Sequence, residues 1–133
     1  MVDAAVAAHP KDPRFLQLAA TVYEAQGDKA GAELTLRQVI DLDRGNLNAA
    51  MWLAAQMPDK QPEAIKMLER LLERRPRAVT ARFELATRLE KTGKIEEARK
   101  QYDAVVTEAT RPEFSTIRAR ATARKLELLP GSQ

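Results

Sequence analysis

Apolar residues recur along the chain at helical spacing, in blocks separated by short polar or glycine- and proline-containing breaks. Leu16, Ala19, Ala20 and Tyr23 share one helix face, and Asp12-Pro13 in front of them reads as an N-cap followed by proline at the first helical position. Gln26-Gly27-Asp28 interrupts that helix, with Gly27 suited to a left-handed C-terminal turn. A partner helix follows with Ala32, Leu36, Val39 and Ile40 on one face. The pattern then restarts. Leu53, Ala54 and Met57 precede Ala64, Leu68, Leu71 and Leu72. Leu85, Ala86 and Leu89 precede a break at Thr92-Gly93-Lys94, and Ala98, Tyr102, Val105 and Val106 come after it. No stretch alternates cleanly with β-branched residues, so strands are not expected.

The restarts keep phase. Ala20, Ala54 and Ala86 are spaced by 34 and then 32 residues, and Ala32, Ala64 and Ala98 by 32 and then 34. Gly27 and Gly93 lie 66 apart, the same total. The middle unit is two residues short in Met57-Pro58-Asp59-Lys60-Gln61-Pro62, where two prolines fit a stiff turn. A unit of this length cannot bury its own apolar face, so neighbouring units must stack. Alanine at the recurring places lets helix axes approach, and a larger side chain there would push them apart. On the outer faces, Glu33 with Arg37 and Glu96 with Lys100 form i,i+4 pairs.

These residues resemble the tetratricopeptide repeat, a helix–turn–helix unit of 34 residues. The match runs over about residues 13–110 on Ala20, Tyr23, Gly27, Ala32, Leu36 and Val39, on Leu53, Ala54, Ala64, Leu68, Leu71 and Pro76, and on Leu85, Ala86, Leu89, Gly93, Ala98, Tyr102 and Val105. The family's early tryptophan is missing at Leu16 and Arg82, and Trp52 stands about two residues out of phase. The resemblance implies an all-α fold, a right-handed superhelix of about three helix–turn–helix repeats. Its divisions are residues 11–44, 45–78 and 79–112, with a remnant second helix of a preceding repeat at 1–10 and a C-terminal capping helix and tail at 113–133. The capping helix is expected to bury parts of Phe114, Ile117, Ala121 and Leu128, because strict phase would put Arg120 at an alanine place.

The resemblance also implies a concave face lined by the first helix of each pair. Gln17, Met51 and Phe83 share one position there, and Thr21, Ala55 and Thr87 another. Met51 and Phe83 give that face an apolar centre, or else pack against neighbouring helices. Arg14, Glu24, Asn48, Glu84 and Glu90 form a polar rim. An apolar centre with a polar rim suits a protein or peptide partner. The clamp of basic and amide residues by which some members hold a peptide carboxylate is missing, since Gln17, Thr21, Trp52, Thr80 and Glu84 occupy those places.

Composition narrows the function classes. Among 133 residues, 44% are apolar and 31% charged, with five glycines and no cysteine. Disulfides, thiolate metal sites and cysteine nucleophiles are therefore excluded. His9 is the single histidine, and Ser115 and Ser132 are the only serines. A serine–histidine triad would have to join opposite ends of an elongated array, and the common zinc arrangements have too few ligands. No glycine-rich phosphate loop is present. The reading is a non-enzyme with no cofactor and no metal.

No apolar run is long enough for a membrane span. Residues before Arg111 carry 17 basic and 17 acidic side chains, so the net charge of +3 lies in the last segment. Arg118, Arg120 and Arg124 there offer a nucleic-acid contact, which so few charges disfavour against a solvated helix. Self-association through exposed repeat ends into a homo-oligomer is the other alternative. The alanine and arginine content points to a bacterial source, with the family analogy adding envelope assembly or secretion. Periplasm, cell envelope and cytoplasm all stay open.

Overall fold

The computed structural model describes residues 12–57 and 61–130. These form seven α-helices and one 3-10 turn, with no strand among the described residues. The helices are α1 (Pro13–Ala25), α2 (Lys29–Leu42), α3 (Leu47–Ala55), α4 (Gln61–Arg74), α5 (Val79–Lys91), α6 (Ile95–Glu108) and α7 (Ser115–Glu127). The 3-10 turn is Pro112–Phe114. The chain divides between Gln56 and Met57 into two compact units. The remnant helix expected over residues 1–10 lies outside the described residues, as do residues 58–60 of the shortened turn.

The first unit holds α1, α2 and α3. The Asp12 carboxylate accepts the Arg14 backbone N–H at 3.0 Å, satisfying one of the donors a helix start leaves open. α1 ends in a left-handed turn at Gly27, φ 78°. There the Asp28 N–H reaches the Tyr23 carbonyl at 2.8 Å and the Gly27 N–H the Glu24 carbonyl at 3.0 Å. This pair of bonds closes a helix C-terminus while reversing the chain. Asp28 and Asn46 then cap α2 and α3 through the backbone N–H groups of Gly31 and Ala49. Ala20 and Ala32, at the two recurring alanine places, are buried with Leu16, Leu36 and Val39. Each fully buried leucine or valine contributes about 1.5–3 kcal/mol.

The second unit holds α4 to α7. α5 packs against both α4 and α6, and α7 covers α6 and the edge of α5. The turn from α5 to α6 repeats the first one. Gly93 has φ 83°, the Lys94 N–H bonds the Leu89 carbonyl at 3.0 Å, and the Gly93 N–H bonds the Glu90 carbonyl at 3.1 Å. Ala64, Ala86 and Ala98 are buried at the helix contacts. Arg82, standing at a tryptophan place of the repeat, works as a polar staple. Its guanidinium donates to Gln101 Oε1 at 2.8 Å and to the Pro76 carbonyl at 2.5 Å, and its Nε lies 3.4 Å from Glu108.

α7 is rotated by about one residue relative to strict repeat phase. Ala121 is buried where phase called for the exposed Arg120. Leu128 is buried too, and Phe114 and Ile117 are half-buried. On the outer face Glu33 pairs with Arg37 as expected, at 3.0 Å. Glu96 instead pairs with Arg99 at 2.5 Å, not with Lys100. On a helix the i,i+3 neighbour is as near as the i,i+4 one, and the guanidinium offers more donors than an ammonium.

Candidate functional site

In the first unit a cleft of about 280 Å³ opens on α1 and α3, with α2 behind it. Gln17, Leu18, Ala20, Thr21 and Glu24 come from α1, Leu36 from α2, and Asn48 and Trp52 from α3. Leu36 and Ala20 are buried, whereas Leu18 is 51% exposed. The cleft wall is held by side chains. The Gln17 Nε2 donates to Asn46 Oδ1 at 3.0 Å, tying α1 to the cap of α3 and leaving the Gln17 carbonyl oxygen to accept. The Thr21 hydroxyl donates back to the Gln17 backbone carbonyl at 3.0 Å, so toward the cleft it can only accept. Glu24 adds a carboxylate with no ion pair among the described residues.

The equivalent face of the second unit is built alike, with α7 as the longer counterpart of α3. Phe83 and Thr87 of α5 stand 66 residues after Gln17 and Thr21, and Thr87 repeats the back-bond, donating to the Phe83 carbonyl at 3.0 Å. Glu90 stands 66 after Glu24. Here Arg124 of α7 grips the Glu90 carboxylate with Nε, at 3.1 Å, and with its second terminal nitrogen. Glu127 holds the remaining nitrogen of Arg124. The Tyr102 hydroxyl donates to the same carboxylate at 3.0 Å. Burial pushes the Tyr102 phenol above its ordinary pKa, and the hydrogen bond to Glu90 adds to this. The Glu90 hydrogen bonds likewise push Arg124 further up.

The concave-face residues fall into several environments. Gln17 and Thr21 line the cleft, with Glu24 and Asn48 of the rim beside them. Met51 is half-buried and Ala55 exposed, and neither lines it. Phe83 is half-buried and meets the Tyr102 ring edge-on, centroids 5.6 Å apart, so it packs against the neighbouring helix. Arg14 is exposed and bound to Asp12. Glu84 pairs with Arg88 at 2.9 Å. Arg88 is 6% exposed and also donates to the Met57 carbonyl at 2.6 Å and to Gln61 Oε1. Trp52 lies in the cleft, at one of the groove places the resemblance gave, whereas neither the burial of Arg88 nor the part of Leu18 was expected. Trp52 sits out of repeat phase, and nothing in an i,i+3/i+4 pattern marks which arginine turns inward.

The charges of the last helix are partly used internally. Arg124 is bound to Glu90 and Glu127, and Lys125 to Asp103 at 2.6 Å, while Arg118 and Arg120 are exposed. Among the described residues no group of three or more histidine, cysteine, aspartate or glutamate side chains could hold a metal ion. No helix of the described residues is long and apolar enough to cross a membrane.

Two family profiles, both described as tetratricopeptide repeat, match residues 13–46 and residues 61–113. No curated protein sequence matches the chain. Among solved structures, the chain is similar to the Yersinia enterocolitica type III secretion chaperone SycD, determined in complex with a peptide of the translocator YopD. That likeness has a TM-score of 0.73 at 19% identity and covers 85% of this chain and 88% of the other. It is also similar to the TPR2B domain of yeast Sti1, determined as a complex with pHsp70, with a TM-score of 0.69 at 20% identity over 87% and 94% of the two chains. MamA gives 0.68 at 18% identity over 96% and 77%. At these identities the likeness is one of fold.

Proposed function

The chain belongs to the tetratricopeptide repeat family, and on that premise we propose that it is a non-catalytic scaffold that takes a peptide segment of a partner protein. The observation that carries this reading is the cleft on α1 and α3. It has an apolar floor of Ala20, Leu36 and Trp52, an exposed Leu18 at its lip, and polar groups from Gln17, Thr21, Glu24 and Asn48 around it. Pockets for whole cofactors usually run to about 300–1,000 Å³. A cleft of 280 Å³ suits one or two side chains of a longer segment. SycD and Sti1 TPR2B, which share the fold, were each determined with a peptide or protein partner, and that supports the ligand class without naming the ligand. A role in bacterial secretion rests on the likeness to SycD, and one in envelope assembly on family analogy alone.

The expected contact residues are Gln17, Thr21, Leu18 and Trp52 in the first unit. In the second unit Phe83, Thr87 and Glu84 are already engaged by Tyr102 and Arg88, so a partner gains less there. Selection of displayed random peptides on the full chain tests the reading. Peptides should be enriched that lose binding about tenfold or more on Trp52→Ala, as aromatic anchors at interface centres do, with far-ultraviolet circular dichroism unchanged. Failure to enrich any peptide dependent on the cleft would overturn it.

A further inference from the structure

We propose that a second copy of this chain docks on the outer face of α2, presenting the outer face of its own α7. This contact is separate from the cleft and goes beyond the peptide-binding reading. Besides Leu18 at the cleft, the leucines left exposed among the described residues are Leu34 and Leu42 on α2 and Leu126 and Leu129 at the end of α7. Leu34 is 64% exposed and Leu126 56%. The repeat itself does not call for the pair on α2. The places matching Leu34 hold Lys66 in α4 and Lys100 in α6, and those matching Leu42 hold Arg74 and Glu108. These places accept charge, yet α2 carries leucine at both.

The two faces have helix-packing shapes. Ala30, Leu34, Gln38 and Leu42 are all exposed and follow four apart, making one ridge along α2. On α7, Arg120, Ala123, Leu126 and Leu129 are exposed and follow three apart. Ridges spaced by three fit grooves between ridges spaced by four, with the axes about 20° apart. The small Ala123 leaves room for an opposing leucine.

Single exposed leucines are common on protein surfaces, so the choice of occupant comes from charge. Asp41 lies seven residues after Leu34 on the same side of α2, exposed and with no ion pair among the described residues. Arg120 stands in the α7 row with Arg118 beside it, and both are exposed with no ion pair among the described residues. The units differ in the same sense. Residues 1–56 carry five basic and seven acidic side chains, and residues 57–133 carry 17 and 12. An acidic face and a basic face attract between copies, whereas either face set against itself brings like charges together. The two surfaces are different, so two copies exchange the contact or further copies extend it. One helix laid on another buries less than the roughly 1,200 Å² of a stable interface, so the association is weak.

Sedimentation of the full-length chain from about 1 µM to 1 mM covers the range in which weak complexes form. Assembly should rise with concentration and fall as salt is added. Asp41→Arg and Arg120→Asp should each weaken it about tenfold or more, because like charges then meet. An equimolar mixture of these two variants should assemble again, since opposite charges are restored between the chains. Leu34→Lys supplies the residue that α4 and α6 carry at that place, so it should abolish assembly with circular dichroism and melting temperature unchanged. A chain that stays monomeric over the whole range would overturn the proposal. So would assembly that survives Leu34→Lys, or a mixture of the charge variants that does not recover. Assembly lost on Trp52→Ala but kept on Leu34→Lys would move the contact to the cleft, against this proposal. The scaffold reading stands or falls separately, on the peptide selection.

Discussion

The two units place the same repeat positions in opposite states. On α5 the acidic residue at the end of the inner face, Glu90, is saturated by Arg124 and Tyr102. On α1 its counterpart Glu24 is exposed beside an open cleft. The backbone turns are the same, down to the bonds around Gly27 and Gly93. What separates the two faces is the greater length of α7 than of its counterpart α3, which brings Arg124 to Glu90, and one side chain behind, tyrosine in one unit and leucine in the other. A repeat fold supplies positions, and each position becomes core or site according to what is laid over it.

The largest expected break is on the covered side. Tyr102 is fully buried and joins α6 to Phe83 and Glu90, so Tyr102→Ala should lower stability by about 3–5 kcal/mol in urea unfolding. A loss below about 1 kcal/mol would mean that α6 is not anchored to α5 through this residue. Overpacking the close helix contacts should act on both units alike. Ala32→Leu in the first and Ala98→Leu in the second should each cost about 1–3 kcal/mol, read from the denaturation midpoint. Two neutral results would remove the reason given for alanine at these places.

The carboxylates discriminate more finely. Glu90→Gln should cost about 1 kcal/mol, because the half-exposed Arg124 loses its charged partner. Glu24→Gln should change stability by less than about 0.5 kcal/mol, as an unpaired surface group does. Equal effects would erase the distinction between the faces.

The smallest effect is on pH dependence. The native state holds the Tyr102 proton more tightly than the unfolded chain, since burial raises its pKa. The resulting stability is complete below the ordinary phenol value of 10.0 and is lost as pH rises through the folded value. Tyr102→Phe should remove that alkaline loss while leaving the profile near neutrality parallel to the parent, which thermal melts from neutral to alkaline pH will show.

Much of the fold was legible because its signals are local. Asp12-Pro13, the glycines of the two turns and the phased alanines each act within a few residues of themselves, and the structure uses them as read. The candidate site was legible in part. Gln17 and Thr21 sit in the cleft because they face inward from the same helix stripe that the repeat defines. Trp52 departs from that stripe and was placed in the groove by the resemblance alone, and Leu18 was obscured because exposure of a leucine leaves no periodic trace. The pairing of Glu90 with Arg124 spans 34 residues and depends on the rotation of α7, which phase alone does not give. Phe83 has the spacing of a groove residue, yet the aromatic edge of Tyr102 holds it against its neighbour.

Hydrogen exchange of the full chain, with and without a selected peptide, tests the contrast between the faces most directly. Slowed exchange should be confined to α1 and α3, with α5 unchanged because Tyr102 and Arg124 already engage Phe83 and Glu90. Protection that appears on α5 instead, or that spreads evenly over both units, would contradict the account.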